Sequence, residues 1–167
     1  MDEPANRESA PQRLSLEDAT KHILEEGRMV LPGIQALLGF QFMVAFNRPF
    51  QTDLESGERV LHLIAISLTT LSTIFVLGTV AYHRQVEPNS ISQRFITLST
   101  YLLMLGMYAL MGGICIDLYL IARMVLDNTW AAAGVSAGAF VMFLSLWVFL
   151  PAALNASDRK TLKHSRL

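Results

Sequence analysis

A single acid, Asp117, interrupts the longest of four apolar stretches, where a carboxylate is costly to keep charged unless it gains a cation or several donors. An acid so placed could load and release a proton. Held neutral, it would instead hydrogen-bond to a hydroxyl or amide of a neighbouring helix. Asp117 shares a helical face with Ser99, Leu103, Gly106, Leu110, Gly113 and Leu120, and the glycines Gly106 and Gly113 let another helix approach closely. Arg123 is about 240° further round the same helix, so it is expected to snorkel outward rather than pair with Asp117. The depth of the acid depends on where the stretch ends. The 22 uncharged residues from Phe95 to Ile116 could fill a bilayer alone and leave Asp117 at its surface. Only Asp127, Asn128 and Thr129 separate Leu126 from Trp130, however. With Trp130 at the outer surface, Asp117 lies about 13 Å below it, and this deeper placement is the expectation.

Other polar residues recur inside the apolar stretches. In the first, Glu25, Arg28, Pro32, Gln35, Gly39, Phe42 and Phe46 fall at steps of three and four along one helical face, polar at its N-terminal end. Pro32 has no amide hydrogen and its ring displaces the carbonyl of Arg28, leaving a backbone acceptor beside Glu25, Arg28 and Gln35. Gln41 lies on another face, and two glutamines in one short span point either to hydrogen bonds between helices or to an ion path. The second stretch holds the hydroxyls of Ser67, Thr69, Thr70, Ser72, Thr73 and Thr79, which can bond back to their own helix. His62 and His83 mark its ends, about 31 Å apart on a straight helix, which excludes a shared metal. Each reads as an interfacial residue, with a proton relay left open because imidazole takes and gives protons near neutrality. In the fourth stretch Gly134 and Gly138, extended by Ala131 and Ser145, permit close packing within a protomer or between protomers, and Trp130 and Trp147 suit interface anchoring.

The elements that must position these residues follow from composition. Of 167 residues 52% are hydrophobic and 16% charged, with a mean hydropathy of +0.39, whereas soluble domains carry roughly 25% charged residues. Lipid is therefore the expected solvent. A net charge of −1 gives no basic surface for nucleic acid. The lone cysteine, Cys115, allows neither a disulfide nor a cysteine metal site within one chain, and no cofactor is expected. No paired carboxylates, metal cluster or activated nucleophile is recognisable, so the expectation is not an enzyme.

Apolar runs over 29–46, 60–82, 95–126 and 130–150 are each long enough to span, and in lipid a segment must satisfy its own backbone, which demands helices. Before them come a disordered tail over 1–14 and a short amphipathic interfacial helix over 15–28, capped by Ser15 with Asp18 in its first turn. The first 28 residues contain seven acids and no continuous apolar core, so no cleavable signal is expected. Residues 152–167 form a basic tail. Ten Lys and Arg side chains (Arg7, Arg13, Lys21, Arg28, Arg84, Arg94, Arg159, Lys160, Lys163 and Arg166) fall on the side of the tails, against Arg48, Arg59 and Arg123 opposite. The positive-inside rule then places both termini in the cytoplasm. The expected fold class is all-α, a four-helix transmembrane bundle, without an internal repeat and homo-oligomeric.

Glu26, Arg28, Met29, Val30, Leu31, Pro32, Gly33 and Gln35, then Phe40, Gln41 and Phe42, then Ala81, Tyr82, His83 and Arg84, resemble a family of bacterial four-helix membrane proteins of unknown function. The similarity runs from about residue 25 to 151, and some members carry automatic labels as sodium/proton antiporters. The resemblance implies a multi-pass protein of the bacterial inner membrane whose shared site is the first-span motif with His83 and Arg84. From these readings the candidate pathway for protons or monovalent ions comprises Glu25, Arg28, Gln35, Gln41, His83, Arg84 and Asp117, in a small homo-oligomeric channel or proton-coupled cation carrier. The other reading is a structural or regulatory membrane protein that binds lipid headgroups or a partner, with Arg28, His83 and Arg84 as a basic rim.

Overall fold

The structure, a computed structural model, describes residues 16–52, 54–86 and 92–152. The expected tail over 1–14, the Ser15 cap and all of the basic tail beyond Ala152 lie outside the described residues. Helix α1 runs Leu16–Ala45, a short α2 Arg48–Thr52, α3 Ser56–Val86, α4 Gln93–Leu126 and α5 Thr129–Leu144, the last continuing through a π-helical turn at Ser145–Phe149. No strand occurs among the described residues. Four segments, Asp18–Ala45, Ser56–Val86, Gln93–Leu126 and Thr129–Ala152, are long and apolar enough to cross a membrane. The stretch read from sequence as a separate helix over 15–28 joins the first span without a break, and Pro32 sits inside the joined helix.

Local chemistry explains where the helices stop. Ser92 caps α4 by accepting from the Phe95 amide at 3.1 Å. Glu58 reaches back 3.0 Å to accept from the Glu55 amide, one half of a capping box at the start of α3. The α4–α5 turn needs only two residues. Asp127 takes the left-handed conformation (φ 47°), which its short polar side chain tolerates, and Asn128 caps α5 by accepting from the amides of Trp130 and Ala131 at 2.9 and 3.1 Å. Arg123 does not pair with Asp117 but lies 3.0 Å from Asp127 and 3.6 Å from Glu58 at the start of α3, held by these two acids rather than snorkelling free.

Helix α4 is the centre of the bundle. It packs most extensively on α3, then on α5 and α1, while α1 also packs on α3. The face of α4 read from sequence is the face that packs: Ser99, Leu103, Gly106, Gly113 and Leu120 are buried. Opposite it, α3 buries His62, Ala65, Thr69, Ser72, Val76 and Thr79 at steps of three and four. Glycine is required at this contact. A Cβ on Gly113 would stand 2.9 Å from Thr69 Oγ1 and 3.2 Å from the Ala65 carbonyl, and one on Gly106 would stand 3.4 Å from the Ser72 carbonyl. Gly134 and Gly138 differ, because nothing lies within 4 Å of a Cβ built at either. The expectation that these two permit packing within the protomer is therefore corrected. Helix α5 turns Ala132 and Ser136 inward instead, and Ser136 donates to the Cys115 carbonyl at 2.7 Å. The two glycines lie about 160° away, on a nearly opposite and open face.

Gly113→Ala should lower stability by about 1–3 kcal/mol, because Thr69 must break its bond to the Ala65 carbonyl to make room. Gly138→Ala, with open space around it and a better helix former, should be at least as stable as the parent protein. Reversible unfolding of the detergent-solubilised chain measures both.

Candidate functional site

Helix α1 buries Thr20, Gly27, Ile34 and Gln41, a seven-residue repeat that forms one seam against α3 and α4. The seam is rotated by about 100° from the face read as polar. Glu25, Arg28, Pro32, Gln35, Gly39, Phe42 and Phe46 are all exposed. The reading that gathers Glu25, Arg28 and Gln35 with Asp117 is therefore corrected: the seam of Thr20, Gly27, Ile34 and Gln41 packs inward, and that rotation turns these three residues outward. Arg84 is exposed as well, and His83 is half-buried with its ring centroid 5.1 Å from that of Phe95. These two residues sit at the end of α3 opposite His62, so they do not join Asp117 either.

Asp117 gathers Gln41 and His62 instead. Gln41 Nε2 donates to Asp117 Oδ2 at 2.6 Å, and His62 Nδ1 lies 3.4 Å from Asp117 Oδ1. The three side chains come from α1, α3 and α4, and all are sequestered: Gln41 is 3% exposed, and the side chains of His62 and Asp117 are 6% and 16% exposed. The cluster lies within one to two turns of the ends of α1 and α3 that meet the connection over 46–55.

The backbone fixes the proton pattern of this cluster. His62 Nε2 lies 3.0 Å from the Gln41 carbonyl oxygen, which can only accept, so Nε2 carries the hydrogen and donates. Nδ1 then faces the carboxyl group, 3.4 Å from Oδ1, a separation across which a proton can be exchanged.

The short α2 closes the cluster from the loop side. Phe50 stands over His62 with ring centroids 4.9 Å apart, and Leu54 is buried. Between these groups lies a cavity of about 150 Å³ lined by Leu37, Phe40, Val44, Leu120, Ile121 and Met124 as well as the polar triad. Its exposed lining, Phe40, Val44, Ile121 and Met124, comes from α1 and α4, so it opens between those helices on the surface that meets lipid. Met124 also lines a polar cavity of about 210 Å³ with Glu55, Glu58, Arg123 and Asp127. One methionine thus stands between the triad and a charged vestibule at the helix ends. Among the described residues no group of three or more His, Cys, Asp and Glu side chains could hold a metal ion.

Sequence reasoning placed Asp117 and Gln41 among the candidates but left His62 at an interface and missed Phe50. A signal for His62 was available. It continues the stripe of Ala65, Thr69, Ser72, Val76 and Thr79, the small and hydroxyl-bearing side of an apolar helix and hence its packing side. Phe50 carried no signal, since its position depends on how the connection folds back.

Four apolar helices enclosing an acid, an imidazole and an amide define a multi-pass integral membrane protein with a buried polar site. The chain belongs to a family of unknown function, DUF6328, whose family model matches residues 7–151. No curated protein and no solved structure matches the chain.

A double-mutant cycle between Gln41→Ala and Asp117→Ala should give a coupling of about 0.6–1.7 kcal/mol, the range for hydrogen bonds between membrane helices. In ¹⁵N-histidine-labelled protein, Nε2 of His62 should read as protonated, and Asp117→Asn should shift Nδ1 far more than Nε2. A coupling near zero, or an unprotonated Nε2, would contradict the geometry.

Proposed function

We propose that the protein translocates ions, as a homo-oligomeric, proton-coupled cation carrier of the bacterial inner membrane with both tails cytoplasmic. The observation that carries this reading is the Asp117–His62 contact: an acid and an imidazole face each other at 3.4 Å among apolar helices, beside a vestibule of charged residues. Ionisable groups inside spans are rare and costly, and proton relays are a leading reason to retain them. A carrier is favoured over an open pore because α3 and α4 meet closely at Gly113, where a Cβ would stand 2.9 Å from Thr69 Oγ1 and 3.2 Å from the Ala65 carbonyl. Four spans make a thin wall, so a second copy would complete the path. The open face of Gly134 and Gly138 suits such a contact, since small residues let helices of neighbouring protomers approach.

A specific observation also favours a second reading. Much of the motif that carries the family resemblance faces outward, Gln41 excepted, with Arg28 and Arg84 exposed. A regulatory or structural protein would use that rim to hold lipid headgroups or a partner.

Proton flux into liposomes separates the two. The parent protein should dissipate a pH gradient, Asp117→Asn should reduce the rate at least about tenfold, equivalent to 1.4 kcal/mol on the barrier, and Arg28→Ala should leave most of it. Absence of flux under every gradient and voltage, or loss of flux with Arg28→Ala alone, would favour the second reading. Gly134→Leu should reduce both the oligomer and the flux, and a strictly monomeric parent protein with full flux would remove the oligomer from the proposal.

A further inference from the structure

The cavity beside the triad has a feature that proton transfer does not use. Gln41 is 3% exposed, and its Oε1 has no hydrogen-bond partner, although its Nε2 is committed to Asp117. A buried acceptor left open costs free energy, and lipid can supply no donor. Beside it stand both carboxylate oxygens of Asp117, so the polar end of the cavity presents acceptors. The rest of the wall is apolar, and Phe40 and Phe50 add two aromatic rings. An occupant that matches these surfaces carries a donor-rich positive head and an apolar body.

We infer that the cavity binds a lipophilic primary ammonium, with its head between Gln41 Oε1 and Asp117 and its ring or short chain among Leu37, Phe40 and Leu120. The inference rests on the proton-loading reading of the same site and names its substrate class. A bare sodium ion is poorly served: three side-chain oxygens with apolar walls fall short of the coordination shell that a hard cation needs. An ammonium needs fewer contacts, and aromatic side chains add cation–π attraction. Volume agrees, because a cavity of about 150 Å³ accepts a single benzene-sized ring. Access agrees too. The mouth between α1 and α4 opens to the hydrocarbon, where such amphipathic molecules accumulate.

Binding and proton release are linked by charge. The Asp117–His62 pair is neutral while it holds its proton. When the ammonium enters, that proton leaves to water by way of the vestibule, Asp117 becomes the counter-ion, and His62 remains neutral with its hydrogen on Nε2. One positive charge enters and one leaves, and no covalent bond to carbon is made or broken. The titratable and charged groups around the site are His62 from α3, the one such group in contact with Asp117 among the described residues, Arg59, which donates to the carbonyl of cavity-lining Leu54 at 3.2 Å, and Glu55, Glu58, Arg123 and Asp127, gathered at the helix ends. Helix α1 contributes only the uncharged Gln41.

The test uses the full chain in phosphatidylcholine nanodiscs, with benzylammonium as the probe, benzyl alcohol as its uncharged counterpart and empty nanodiscs as the partition control. Calorimetry in two buffers of different ionisation heat counts protons. Benzylammonium should bind with release of about one proton, and its apparent affinity should fall by up to about tenfold for each pH unit of acidification, since proton and ammonium compete. Asp117→Asn should abolish the proton release. Ile121→Trp, a change at the exposed mouth that leaves the triad in place, should weaken benzylammonium at least about tenfold, so the test survives should Asp117→Asn not fold. Equal binding of benzyl alcohol and benzylammonium, binding without proton release, or unchanged affinity in Ile121→Trp would each overturn the inference. Proton flux without any benzylammonium-linked release would overturn it while leaving the proton reading intact. Linked release without flux would do the reverse.

Discussion

A carboxylate among apolar helices must be neutralised or supplied with donors, and Asp117 imposes that demand on the whole bundle. The partners it finds come from two other helices, Gln41 on α1 and His62 on α3, so one acid ties three spans together. Their positions are mutually dependent. His62 is oriented by the Gln41 backbone, Gln41 is oriented by Asp117, and Phe50 covers the imidazole from the connection between α1 and α3. Rotating α1 by one residue would move its amide away from the carboxylate, leaving the acid with the imidazole alone.

Packing density elsewhere in the bundle serves this arrangement. Gly106 and Gly113 let α4 lie against the carbonyls of α3, which brings Asp117 to the level of His62. Of the buried hydroxyls along the same seam, Thr69 donates to Ala65 and Thr79 to Phe75, while those of Ser72 and Ser99 have no hydrogen-bond partner. The seam is tightest at Gly113, and further along it a cavity of about 160 Å³ is lined by Ile34, Ser72, Val76, Leu103 and Gly106. The polar site communicates with its surroundings through the cavity between α1 and α4 and past Met124 to the charged vestibule. Helix α5 takes little part in it. It is fixed to α4 by a two-residue turn and by Ser136, and it offers its glycines outward.

Much of the fold was legible in the sequence, because the bilayer imposes a simple rule: a segment long and apolar enough to cross must be a helix that satisfies its own backbone. Hence the four spans, the packing face of α4 with Gly106 and Gly113 and the inward role of Asp117 and Gln41 could all be read from spacing. Spacing determined which residues share a face. It did not determine which face of α1 is buried, and there the eye was drawn to Glu25, Arg28 and Gln35 rather than to the quieter repeat of Thr20, Gly27, Ile34 and Gln41. Lipid removes the usual guide, since an apolar residue is at home on either side of a membrane helix.

By itself, then, the sequence determined the solvent, the helices and the acid, because length, hydropathy and charge act locally along the chain. Tertiary structure alone decided that the acid's partner is His62 rather than Glu25, Arg28 or His83, that Phe50 folds over it, and that Gly134 and Gly138 stay open. Each of those outcomes depends on the rotation and register of one helix against another. Those are set by the fit of small residues and by the partners Asp117 finds on other helices, which no periodicity within a single segment encodes.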